Sequence, residues 1–166
     1  MTAALHAINN TDRNGYVFTS ESVSEGHPDK VCDQISDAIL DAYLAADPHS
    51  RVACETLATE NRVILSGEIS SRATVDIESI IRKTIMDIGY IYPDKGFDYN
   101  CRINNYLHRQ EAALEENTGA GDQGLMFGYA CSQTKNLMPV PIELAHKLLY
   151  NLAAARKNGT IKHLLP

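Results

Sequence analysis

Residues 51–70 read RVACETLATENRVILSGEIS. Apolar and polar side chains alternate along RVACETLA (51–58) and again along RVILSGEIS (62–70), with TEN between them as the turn. Alternation with a period of two marks half-buried strands, so the stretch predicts a β-hairpin. On that period Glu55 shares a face with Ala53 and Leu57, and Glu68 shares one with Ile64 and Ser66. If the face is open to water, neither acid needs explaining. If it is covered, each carboxylate is costly unless paired or bound to a cation. Two acids on consecutive strands then point to a cation or ammonium site.

Upstream, residues 28–46 place Val31, Ile35, Ala38, Ile39 and Ala42 on one helical face. Pro28 suits the first helical position, where its missing N–H costs nothing, and DPHS (47–50) ends the helix. Downstream, residues 75–88 carry Ile77, Ile81, Thr84, Ile85 and Ile88 on one face of a second helix stopped by Gly89. FDYNCRINNYL (97–107) predicts a third strand, EAALEENTGAGDQG (111–124) a loop or short helical linker, and GLMFGYACS (124–132) a fourth strand. Pro141 opens a last helix with Ala145, Leu148, Leu149 and Leu152 inward, closed by Asn158 and Gly159. Antiparallel strands interleaved with helices give an α+β layer fold. The final strand and helix cannot close a core alone, because a lone strand has unpaired edges and an apolar face to cover. They read as the start of a second unit.

The 166 residues suit one ordinary domain, or one small domain and part of another. An apolar share of 44% supplies a core and lies outside the disordered range. The net charge of −6 argues against a nucleic-acid surface, which needs a basic patch. No run approaches the roughly 18 apolar residues of a membrane span. MTAALHAINNTDRNGY (1–16) lacks the basic start and apolar centre of a signal peptide and reads as a polar, mobile lead. Cys32, Cys54, Cys101 and Cys131 are widely spaced, with no CxxC pair. That fits reduced thiols in a cytoplasm better than a disulfide frame or a zinc site.

The chemistry concentrates in SEGHPDKVCDQISDAIL (24–40), where Gly26, His27, Pro28 and Asp29 precede and open the first helix. A helix N-terminus presents unpaired N–H groups and about half a positive charge, so it attracts anions. Gly26 lets a phosphate approach the backbone, His27 can donate to a phosphate oxygen, and Lys30 adds a point charge. Asp29 would repel a bare phosphate, but a carboxylate there makes sense if Mg²⁺ lies between them. The plainer alternative is that Asp29 complements the helix dipole and His27 is a loop residue. Asp33, Asp37 and Asp41 continue from Asp29 at four-residue intervals; Asp37 and Asp41 read as a solvated face rather than a metal ladder. GAGDQG (119–124) fits G-x-G-x-x-G letter by letter, but that fingerprint needs a strand before it and a helix after it. Here LMFGYA follows, and no GK[ST] ending marks a P-loop. The segment is a tight turn, or a glycine loop that presents Asp122.

Taken together, FTSESVSEGHPDKVCDQISDAILDAYLAADPHSRVACET (18–56), GAGDQGLMFGYA (119–130) and LMPVPIELAHKLLYNLAAARKNGT (137–160) resemble the N-terminal part of the S-adenosylmethionine synthetase (methionine adenosyltransferase) family. The resemblance covers nearly the whole chain from about Tyr16. It implies a lead over residues 1–15, an α+β repeat unit over 16–114 with a mixed or antiparallel sheet and helices on one face, and an incomplete central unit from 115 to 166. It implies pseudo-threefold repetition of such units, homodimers or tetramers packed sheet on sheet, and sites formed between subunits in a cytoplasmic enzyme. The implied reaction joins L-methionine and ATP: the sulfur attacks the ribose C5′ carbon and expels triphosphate, which the same site then cleaves. By resemblance His27 contacts the triphosphate as the catalytic residue, with Lys30 beside the ATP and Asp29 on Mg²⁺. Glu55 matches a K⁺-site glutamate, and Glu68, Gln110 and Asp122 match residues of the methionine site. Glu21 shares the first motif without a definite contact. Neither a nucleic acid nor a membrane is among the implied partners.

Two departures matter. The family's gating loop begins GKQSPDI and is longer, whereas this chain has LHRQEAALEENT, which retains Gln110 but not Ser-Pro-Asp. Pro166 also falls just short of a family segment carrying an ATP-contacting lysine, and further cationic groups lie beyond that. Loss of a cation aimed at the transition state costs on the order of 10²-fold, so the chain alone is expected to be a poor catalyst. The competing expectations are a non-catalytic module that pairs with a full-length subunit, and a bare Mg-nucleotide-binding domain.

Overall fold

Helix α1 (Pro28–Ala46) starts where His27, in extended backbone, caps it and Pro28 fills the first turn. Val31, Ile35, Ile39 and Tyr43, spaced four apart, form its buried stripe. Strands β1 (Arg51–Thr59) and β2 (Arg62–Ser70) pair antiparallel from Arg51 opposite Ser70 to Thr59 opposite Arg62, so the predicted hairpin is present. The computed structural model describes residues 17–110 and 124–166. Helix α2 (Ile77–Ile88) is capped by Asp76, which accepts the N–H of Ser79 at 3.1 Å. It ends at Gly89, whose φ of 114° is a left-handed conformation that side chains disfavour. Strand β3 (Arg102–Arg109) lies parallel to β2, giving a mixed sheet in the order β1-β2-β3.

Both α1 and α2 cover one face of this sheet. Their stripes meet Val63 and Leu65 of β2 and Cys101 in a single core, with Val52, Cys54, Ile103 and Leu107 at its edge. This is the α+β layer that the alternation and spacing predict, with the helices on one face as the resemblance implies. Burial pushes the thiols of Cys32, Cys54 and Cys101 up, which keeps them protonated and unreactive. All four cysteines are free.

The remaining chain corrects three expectations. The third strand starts at Arg102, not Phe97, because Asp98 turns the chain first: its carboxylate accepts the N–H of Asn100 at 2.5 Å and its carbonyl that of Cys101 at 3.0 Å. Residues 124–132 form no strand; Leu125, Met126 and Phe127 are exposed, Met126 at 93%, and no described strand lies beside them to pair with. Helix α3 (Val140–Lys157) forms and closes at Asn158 and Gly159, but only half of its expected inward face turns in. Leu148 is 68% exposed and Leu152 is exposed as well, while Ala145 and Leu149 are half-buried. The reason is the surface that α3 meets, a polar loop rather than a sheet. The linker 111–123 lies outside the described residues.

Candidate active site

The loop entering α1 is held in place by side chains from distant elements. Tyr90 donates its hydroxyl to the carbonyl of Gly26 at 2.6 Å. Glu25 accepts from Arg156 at 2.9 Å and from Lys157 at 2.5 Å, and Arg156 also donates to the carbonyl of Ile88 at 2.6 Å. Ser22 Oγ and His146 Nδ1 share a hydrogen bond of 2.9 Å. Lys30 Nζ donates to Val23 O at 3.1 Å, and Gln34 donates to Glu25 O and Lys30 O. Between this strap and α3 lies a cavity of about 500 Å³ lined by Ser22, Lys30, His146, Leu149 and Lys157. Tyr90, Arg156 and His146 have no local signal in the sequence; only the fold brings them to residues 22–27.

That strap fixes the geometry of His27. Its Nδ1 accepts the N–H of Asp29 at 3.2 Å, so in the neutral ring the proton sits on Nε2. One nitrogen caps the helix, and the other is left as a donor. The Asp29 carboxylate lies 3.9 Å from Nδ1 and its side chain is 89% exposed. A hard, hydrated oxygen donor of this kind fits Mg²⁺, which keeps waters and is often held by one or two carboxylates plus substrate phosphates. Among the described residues no group of three or more His, Cys, Asp or Glu side chains could cage an ion without substrate. Glu21 lies exposed in the segment leading to the strap.

The acids of the hairpin lie elsewhere. Glu55 and Glu68 belong to the sheet face turned away from the helices, as the period-2 reading places them. Register sets Glu55 opposite Ser66, which lies opposite Tyr106, and sets Ala53 opposite Glu68, which lies opposite His108. Thr56, one residue on from Glu55, points the other way and shares a 2.8 Å hydrogen bond with Ser36 of α1. Gln110 donates its N–H to Ile69 O at 3.4 Å, two residues beyond His108, and among the described residues its buried side-chain oxygen has no hydrogen-bond partner. Such an orphaned acceptor at the end of β3 suits a ligand that donates. Glu68 and Gln110 are thus near one another, while the sheet stands between them and His27 with Asp29. Asp122 lies outside the described residues. Sequence reasoning missed His108, whose place opposite Glu68 depends on the register.

No helix of the described residues is long and apolar enough to cross a membrane. Residues 15–112 match the model of the S-adenosylmethionine synthetase N-terminal domain, and residues 117–166 match that of its central domain. An S-adenosylmethionine synthase of Porphyromonas gingivalis is 55% identical over 151 residues, covering 86% of this chain and 35% of the relative. One of Prochlorococcus marinus is 51% identical over 167 residues, covering 91% of this chain and 40% of its own length. One of Cytophaga hutchinsonii is 52% identical over 161 residues, 91% of this chain and 38% of the relative. The chain therefore spans well under half the length of these curated relatives. With the helix-capping histidine, the acid beside it and the hairpin glutamates all set within those matched residues, the chain belongs to the S-adenosylmethionine synthetase family.

Proposed function

We propose that this chain contributes the nucleotide-binding strap and the amino-acid-binding sheet face of a methionine adenosyltransferase. The observation that carries the reading is His27 Nε2–H, left free by the cap on Nδ1 and set beside the exposed Asp29 carboxylate. His27 donates to the triphosphate oxygen on which charge grows as the bond to C5′ breaks. Lys30, tethered to Val23 O by one of its protons, offers the others to the phosphates. Asp29 holds Mg²⁺, which when bound neutralises the polyphosphate, and Glu55 holds K⁺. Glu68 receives the ammonium of L-methionine, Gln110 orients it, and Asp122 stands near the bound substrates. Glu21 supports the strap.

Because the sheet separates the two groups of residues, a complete site takes His27 and Asp29 from one copy and Glu55, Glu68 and Gln110 from another. The reading therefore includes a homodimer or tetramer assembled through the open sheet face. It divides the chain into a lead over 1–15, an N-terminal unit over 16–114 and the beginning of a central unit over 115–166. Free thiols throughout suit a reducing cytoplasm.

Calorimetry with ATP, with and without Mg²⁺, tests the strap. Wild type binds in a Mg²⁺-dependent way and forms S-adenosylmethionine slowly; Asp29→Asn weakens Mg-ATP by about tenfold or more. If Asp29→Asn keeps both affinity and Mg²⁺ dependence, the site reading fails. A robust turnover by wild type alone would instead remove the expectation that the chain is incomplete for catalysis.

A further inference from the structure

Glu68 already has a neighbour that is a cation whenever its ring is protonated. Its Oε1 lies 3.4 Å from Nε2 of His108, which sits opposite it in the β2–β3 register. The other ring nitrogen of His108, Nδ1, lies 3.5 Å from the carbonyl oxygen of Tyr106. Both nitrogens face oxygens that only accept, and only the imidazolium donates from both. The pair thus resembles the contact an ammonium would make with the same carboxylate. Two positions before its Gln, the GKQ opening of the family loop has a glycine and no side chain, whereas this chain has an imidazole there.

We propose that His108 sets the affinity of the amino-acid site: its imidazolium and the substrate's ammonium compete for the Glu68 carboxylate, so substrate enters in exchange for a proton. This rests on Glu68 being the group that receives the substrate. The proton leaves Nε2 for solvent, the neutral ring withdraws, and the ammonium takes its place. His108 has room to withdraw, since its side chain is 62% exposed on the open sheet face. Glu55 and Arg51 of β1 and Tyr106 on its own strand are the other charged or titratable groups on that face around it. None of these residue types ordinarily changes charge between about pH 5 and 8, where imidazole does.

L-Methionine titrated calorimetrically into the full chain at about pH 5.5 and about pH 7.5 tests the exchange. Wild type should tighten about tenfold at the higher pH and release a proton on binding, seen as heat that varies with buffer ionisation enthalpy. His108→Gly, and His108→Gln as a variant that keeps a side chain in the strand, should bind equally at both and release none. If both variants keep the wild-type pH dependence while Glu68→Gln loses binding, the competition is overturned and the role of Glu68 stands. If Glu68→Gln binds like wild type, or no form binds, the assignment of Glu68 falls and the competition with it.

Discussion

His27 caps α1 through one ring nitrogen, and in the proposed function the other donates to phosphate, so substitution can separate the two roles. Asparagine is among the best N-caps, so His27→Asn retains the bond to Asp29 N–H while removing the Nε2 donor. Alanine removes both. Urea unfolding should place His27→Asn near wild type and His27→Ala about 1 kcal/mol lower. Both should weaken Mg-ATP by at least about tenfold, since a hydrogen bond to a charged group contributes about 1.5–3 kcal/mol. If His27→Asn binds Mg-ATP as tightly as wild type, the histidine is a cap and nothing more, which is the plainer reading of GHPD. At this scale the residue types were legible in the sequence and their pairings were not. GHPD announces a helix start, an imidazole and an acid, but not which nitrogen is occupied. Likewise Glu68 is visible as a strand acid, whereas its 3.4 Å contact with His108 depends on a parallel register set by residues far along the chain.

Helix α3 shows how an element can be found correctly and its inward face only in part. Its side toward the strap carries Arg156, whose guanidinium joins Glu25 to the carbonyl of Ile88 at the end of α2. Arg156 and Glu25 are only 12% and 19% exposed, whereas Lys157, also on Glu25, is 44% exposed. Removing a partner from a buried pair is far more damaging than breaking a half-exposed one. Arg156→Met should therefore cost about 2–4 kcal/mol in urea unfolding and Lys157→Met less than about 1 kcal/mol. Equal losses from the two would show that α3 is not anchored through the guanidinium. The periodicity of α1, α2 and the hairpin was legible because each packs an apolar stripe on a shared core, the situation that amphipathic patterns record. The pattern of α3 misleads because its contact surface is the polar loop 22–27, met through Arg156, His146 and Leu149. GLMFGYACS fails for a related reason: alternation states a preference for pleated backbone, but a strand also needs a neighbour to bond.

The molecule as a whole has one sheet face covered by helices and the other without any described element against it. Across that open face run Leu57, Ile64 and Asn104, then Glu55, Ser66 and Tyr106, then Ala53, Glu68 and His108. Leu57 is 58% exposed, and Tyr106 in the middle row is exposed as well. A second copy laid face to face would cover these apolar groups. The patch is small against the roughly 20–30 residues a side of a standard interface. The glutamates on the approaching faces add repulsion, which salt screens. Association should therefore be weak, dependent on concentration and strengthened by salt, the reverse of an interface built on opposite charges. Sedimentation at micromolar and at near-millimolar concentration should show monomer giving way to dimer, more so in about 0.5 M KCl. Leu57→Lys should leave a monomer at both concentrations without lowering the melting temperature of the dilute protein, because an exposed side chain contributes little to the fold. A dimer that persists in Leu57→Lys, or that salt disperses, would place the contact on another surface and leave the two halves of the proposed site unjoined.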